Sequence, residues 1–181
     1  MSLKLITPAA ALPVTLAEAK LAHRFDASDL DDDITAMIQD ATRLAEHEVG
    51  QCLMPQTWQL TLDAFPDCIR LTRPPVASVT SVQYVDTAGA LQTLAPSAYT
   101  LDTSSGFGLA YLQPAYGTSW PATRDQAQAV IVRFVAGYAD AASVPSHLKR
   151  QVKIFVAMML DDPVQLADRL AAIDKVWDRA Q

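Results

Sequence analysis

The feature that most constrains this chain is its middle, residues 56–138, a string of short strand signals set between helical ends. Gln56-Thr57-Trp58-Gln59-Leu60-Thr61-Leu62 alternates apolar with polar residues, the period of two expected of a half-buried strand. Ile69 to Leu71 and Val79 to Val85 follow, separated by the breaker pair Pro74-Pro75. Asp86-Thr87-Ala88-Gly89 supplies a turn before a strand at Leu91 to Leu94. Weaker signals lie at Tyr99 to Leu101 and Leu109 to Leu112, then residues 113–124, with Pro114, Gly117 and Pro121, read as an exposed loop. Val130-Ile131-Val132-Arg133-Phe134-Val135-Ala136 is the clearest strand, being β-branched and aromatic.

Helices flank this region. Residues 1–14 read as an extended arm punctuated by Pro8 and Pro13. Thr15-Leu16-Ala17-Glu18 is a capping box, in which the hydroxyl and the carboxylate each take one free backbone amide, so a helix is predicted from Leu16 to Phe25. Leu30, Ile34, Met37, Ile38, Ala41, Leu44, Ala45 and Val49 recur at three- and four-residue steps, an amphipathic helix ending at Gly50. After the strands, Ser146 reads as the cap of a helix whose stripe is Leu148, Val152, Phe155, Val156 and Met159. Asp161-Asp162-Pro163 breaks it, and a last helix is expected with Leu166, Leu170, Ile173, Val176 and Trp177 on one face. The expected fold class is therefore α+β. An N-terminal helical hairpin (residues 15–50) and C-terminal helices (145–181) form a small bundle, with an antiparallel β insert (56–138) between them in one domain.

Bulk properties narrow the function. With 181 residues, half of them hydrophobic, the chain can bury a core. Its net charge of −6 and the absence of Lys/Arg clusters argue against wrapping nucleic acid on a basic face. Cys52 and Cys68 form no CxxC and have no His at metal spacing, so they read as small half-buried residues of a protein kept in a reducing compartment. Neither a secretory leader nor a run of roughly 20 apolar residues is visible, so the chain is expected to be made and kept in the cytoplasm.

No motif carries chemistry. Asp26, Asp29, Asp31, Asp32 and Asp33 form the strongest charge feature. A calcium loop through Asp29, Asp31 and Asp33 would have Ile34 where Gly belongs and Asp40 where Glu belongs, and the apolar stripe needs this stretch as helix. Negative charge at a helix start suits the dipole, and the functional reading is an acidic surface facing a partner or a DNA passage. Ser146-His147-Leu148-Lys149 matches Ser-x-x-Lys without its companion motifs. His23, His47 and His147 are scattered, and Gly106-Phe107-Gly108 is too short for a phosphate loop. Lys149, Arg150 and Lys153 share one helix, either as a solvated face or as a patch for an acidic partner. Trp120, in a loop, either anchors an interface or folds back over the sheet.

In order and spacing, several segments resemble the head–tail connector (adaptor, or head-completion) proteins of tailed bacteriophages, in particular the longer members of prophages and gene transfer particles. They are Leu3-Lys4-Leu5-Ile6-Thr7-Pro8, Pro13-Val14-Thr15-Leu16-Ala17-Glu18-Ala19-Lys20, Gln56-Thr57-Trp58-Gln59-Leu60, Arg73-Pro74-Pro75-Val76-Ala77-Ser78-Val79, Ser119-Trp120-Pro121, Val132-Arg133-Phe134-Val135-Ala136-Gly137-Tyr138 and Val144-Pro145. The resemblance runs to about Leu160 and implies a structural virion protein of the neck, made in the bacterial cytoplasm. It implies a dodecameric ring between portal and tail that extends the DNA channel and docks stopper or tail-completion proteins. It implies no enzyme activity, no cofactor, no metal, no membrane and no specific DNA binding. Trp120, Lys149, Arg150, Lys153, Leu170 and Trp177 are then candidate interface residues, and the acidic cluster is a candidate channel or partner surface. The alternatives are another neck or tail part, such as a β-dominated stopper or tail terminator, or a small hydrolase.

Overall fold

The computed structural model describes residues 1–23, 28–104 and 108–161. The chain is α+β and divides into two compact units: a β unit of residues 1–8 and 55–137, and a helical unit built from residues 9–54 and from Tyr138 onward.

The β unit contains a five-stranded sheet and a three-stranded one. The first has the order β1 (Ser2–Thr7), β2 (Gln56–Leu62), β8 (Val130–Ala136), β4 (Val76–Val85), β5 (Leu91–Thr93), with every neighbouring pair antiparallel. The second has the order β3 (Ile69–Leu71), β7 (Ala110–Pro114), β6 (Tyr99–Asp102). β8 is central because it can be buried along its length: Val130, Val132, Phe134 and Ala136 are all inaccessible. Phe134 lies directly opposite Trp58 on one side and Val79 on the other, and Val132 lies opposite Leu60 and Val82. Each such side chain, fully buried, contributes about 1.5–3 kcal/mol. The Arg73 guanidinium sits 4.8 Å over the Trp58 ring, a cation–π contact at the start of the Pro74–Pro75 turn, whose peptide bond is cis.

Residues 2–7 are extended, as the prolines suggest, but they are not free. Leu3 and Leu5 pair with Leu60 and Trp58, which makes the N-terminus an edge strand of the main sheet. The register slips between Leu5 and Thr7, and such a bulge, beside the exposed Lys4, is a usual way to blunt an edge.

In the helical unit, α1 (Leu16–His23), α2 (Asp31–Val49) and α3 (Ser146–Asp161) surround a core of Val14, Ile34, Ile38, Leu44, Leu53, Leu148, Val152, Phe155 and Val156, among others. The capping box forms as read. The Thr15 N–H donates to the Glu18 carboxylate at 2.9 Å, and the Glu18 N–H donates to the Thr15 hydroxyl at 3.2 Å. The predicted last turn of α1, at Arg24 and Phe25, lies outside the described residues. α2 ends at Gly50, whose φ of +69° gives the left-handed reversal and whose N–H bonds the Glu46 carbonyl at 2.9 Å. The chain after this turn is held by a buried carboxylate: Glu46 accepts the Leu53 N–H at 2.7 Å. Ser146 is the first residue of α3 rather than its cap; the Pro145 carbonyl takes the first helical amides, from Leu148 and Lys149. Proline suits that place because its missing N–H is not needed there.

The capping box makes the stability of α1 pH-dependent. The backbone hydrogen bond with Thr15 is the main reason the Glu18 carboxyl sits below its ordinary 4.5, with the charges of Lys153 and Lys149 adding to it. A folded pKa that is depressed gives stability present above the unfolded pKa and lost as pH falls through the folded one. Thermal unfolding of the wild type and Glu18→Ala should therefore differ at pH 7, and the difference should shrink to nothing as the pH is lowered through and below 4.5.

Candidate assembly surfaces

Of the acidic cluster, Asp29, Asp32 and Asp33 are exposed, Asp26 lies outside the described residues, and Asp31 is engaged. Its carboxylate accepts the Lys20 ammonium at 2.6 Å, a half-buried pair that ties α2 to α1. The helix starting at Asp31 also removes the loop a calcium site would need. Among the described residues, no group of three or more His, Cys, Asp or Glu is placed to hold a metal ion.

The basic residues of α3, Lys149, Arg150 and Lys153, differ in exposure. Lys149 and Lys153, one turn apart and half-buried, add only a minor attraction to the Glu18 carboxylate, whose pKa is lowered chiefly by its hydrogen bond with the Thr15 backbone. Arg150 alone of the three is exposed. Asp140 accepts the Ser143 N–H at 2.7 Å, and its bonds to Ser143 are the chief cause of its lowered pKa, with Lys149 a minor one. The outward face of α3 instead shows Ile154 and Met158. His23 donates from Nε2 to the Lys153 carbonyl at 3.1 Å, whereas His47 and His147 are exposed. Cys52 and Cys68 are free. Leu170 and Trp177 fall outside the described residues.

Trp120 folds back. Its indole stacks on Phe65 with centroids 4.7 Å apart and planes 7° from parallel, and Phe65 in turn tilts against Tyr84 at 5.8 Å. The Trp120 Nε1 is buried without an acceptor among the described residues, a cost that burial of the indole and its stacking must together offset. Ser119-Trp120-Pro121 is thus a staple of the β unit. Among the described residues, the large aromatic left in solvent is Tyr116, four residues earlier.

No protein-family model and no curated protein matches this chain. Solved structures do. The chain is similar to one in the neck of an empty gene transfer agent particle computed with C6 symmetry, at 23% identity and TM-score 0.74, with 89% of this chain and 84% of that one covered. The fold is shared with particle chains. A chain of the native gene transfer agent virion matches at 23% identity and TM-score 0.71, and one from the native neck computed with C12 symmetry at 22% and 0.68, over the same shares. At these identities the likeness is one of fold.

The Phe65–Trp120 stack is measurable by itself. A double-mutant cycle with Phe65→Ala and Trp120→Ala, read by denaturant unfolding, should return a coupling of about 0.5–1.5 kcal/mol. A coupling near zero would mean that Trp120 is held by its backbone and not by its ring.

Proposed function

We propose that this chain is a structural subunit of the neck of a phage-like particle, a head–tail connector that forms a ring between portal and tail. The observation that carries the reading is fold likeness over 89% of the chain to chains of gene transfer agent necks computed with C6 and C12 symmetry. In this role, copies of the chain ring the DNA channel below the portal and offer a lower surface to a stopper or tail-completion protein. It catalyses nothing and takes no cofactor. The connector reading is preferred to a stopper or tail terminator because a β-dominated part would leave the 19-residue α2 and the 16-residue α3, with a core of their own, without a purpose.

Acidity suits a conduit. A net charge of −6, with Asp29, Asp32 and Asp33 in solvent, repels phosphate rather than retaining it. Asp31 is excluded from a test of this, since reversing it breaks the pair with Lys20. Asp32→Lys with Asp33→Lys should leave particle assembly intact and slow DNA ejection; unchanged ejection and infectivity or gene transfer would remove these residues from the channel wall.

Electron microscopy of particles from a strain lacking the gene tests the reading as a whole. DNA-filled or leaking heads beside free, complete tails are expected. Normal tailed particles would overturn it.

A further inference from the structure

We propose that the turn at residues 115–118, with Tyr116 at its tip, is a docking element for a second copy of this chain. The inference rests on the ring reading above and adds a contact to it. Tyr116 is the most exposed of the large apolar side chains, at 105% of the reference value. Exposure alone means little, since much of any protein surface is apolar. What matters is that the ring stands on a rigid mount. The Thr118 N–H and hydroxyl both donate to the Ala115 carbonyl, at 2.9 and 2.6 Å, and the Ala115 N–H donates to the Ala98 carbonyl at 3.0 Å. Gly117 turns the chain at φ +75°, a conformation other residues resist. A tyrosine so held loses few rotamers when buried, which makes it a low-cost anchor.

The rest of the β7–β8 connection is pinned. Trp120 stacks on Phe65, Thr123 bridges to Asp86, the Arg124 N–H bonds the Val85 carbonyl, and the Gln128 N–H bonds the Asp63 carboxylate at 2.9 Å. Connections of this length are usually functional or disordered, and this one is fastened at every stage beyond its projecting tip.

Charge selects the partner. From Thr103 to Thr123 there is no Asp, Glu, Lys or Arg, in a chain where these make up 19%. Copies carrying −6 each repel one another, so a neutral turn is where two can meet without like charges facing. A phosphate backbone would require cations that this stretch lacks. Tyr116 of one copy then packs on a different face of the next. That is a heterologous contact, the kind that repeats into a ring.

The photocrosslinker p-benzoylphenylalanine in place of Tyr116 tests this, irradiated both in assembled particles and in the concentrated purified chain. The expected product is a ladder at multiples of the chain's own mass. Crosslinks to a different protein or to DNA, or none at all, would overturn the proposal. Absence of the chain from particles would sink the neck reading, while the purified chain still decides this one. Tyr116→Ala should weaken self-association about tenfold or more, the scale of an interface hot spot, and leave thermal unfolding unchanged because the side chain touches little. Equal self-association of the variant and the wild type would likewise overturn it.

Discussion

The two-sided pairing of β8 is the constraint on which the rest of the β unit depends. This strand joins β2, more than sixty residues earlier in sequence, to β4, and through them the two edge strands β1 and β5. No local turn can set this register. It is set by Val132 and Phe134, each buried against a neighbour on both sides; a one-residue slip would carry both to the opposite face. Closing such long loops costs entropy before burial repays it, which makes pairing of this kind slow to form.

What was legible in the sequence was whatever is decided within a few residues. The Thr15–Glu18 box, the Gly50 reversal, the alternation in β2 and the β-branched run of β8 each encode their own geometry. What stayed hidden depends on a distant partner. Residues 2–7 look like a free arm until β2 is beside them. Asp31 looks like one more charge in an acidic run until α1 brings Lys20 to it. Trp120 and Tyr116 are the sharpest case. Both sit in one polar loop, and only the position of Phe65, fifty-five residues before Trp120, decides which aromatic is fastened and which is displayed.

The same division applies to the acidic residues as a class, and it bears on how the chain meets its surroundings. A net charge of −6 suggests a uniform negative coat. Some of these carboxylates, while keeping their charge, also accept backbone amides. Glu46 holds Leu53, Asp86 accepts the amides of Ala88 and Ala90, Asp102 that of Ser104, and Asp140 that of Ser143. Hydrogen bonds to the charged form are also why Asp86, Asp102 and Asp140 sit below the ordinary carboxylate range, through Gln92, Ser104 and Ser143 respectively. Such carboxylates are bound to their own turns. Asp29, Asp32 and Asp33 are exposed together at the head of α2, where they add a local concentration of negative charge.

A chain that repels its own copies in one region must attract them in another if it is to form a ring. Net repulsion keeps free subunits apart, and a few well-mounted apolar groups supply association only where geometry lets them meet. If copies meet as proposed, the uncharged stretch from Thr103 to Thr123 permits contact and the aspartates of α2 limit it. An assembly made this way responds to salt. Added salt screens the repulsion and leaves apolar burial largely untouched, so association between copies strengthens with ionic strength. A contact held mainly by ion pairs would respond in the opposite sense.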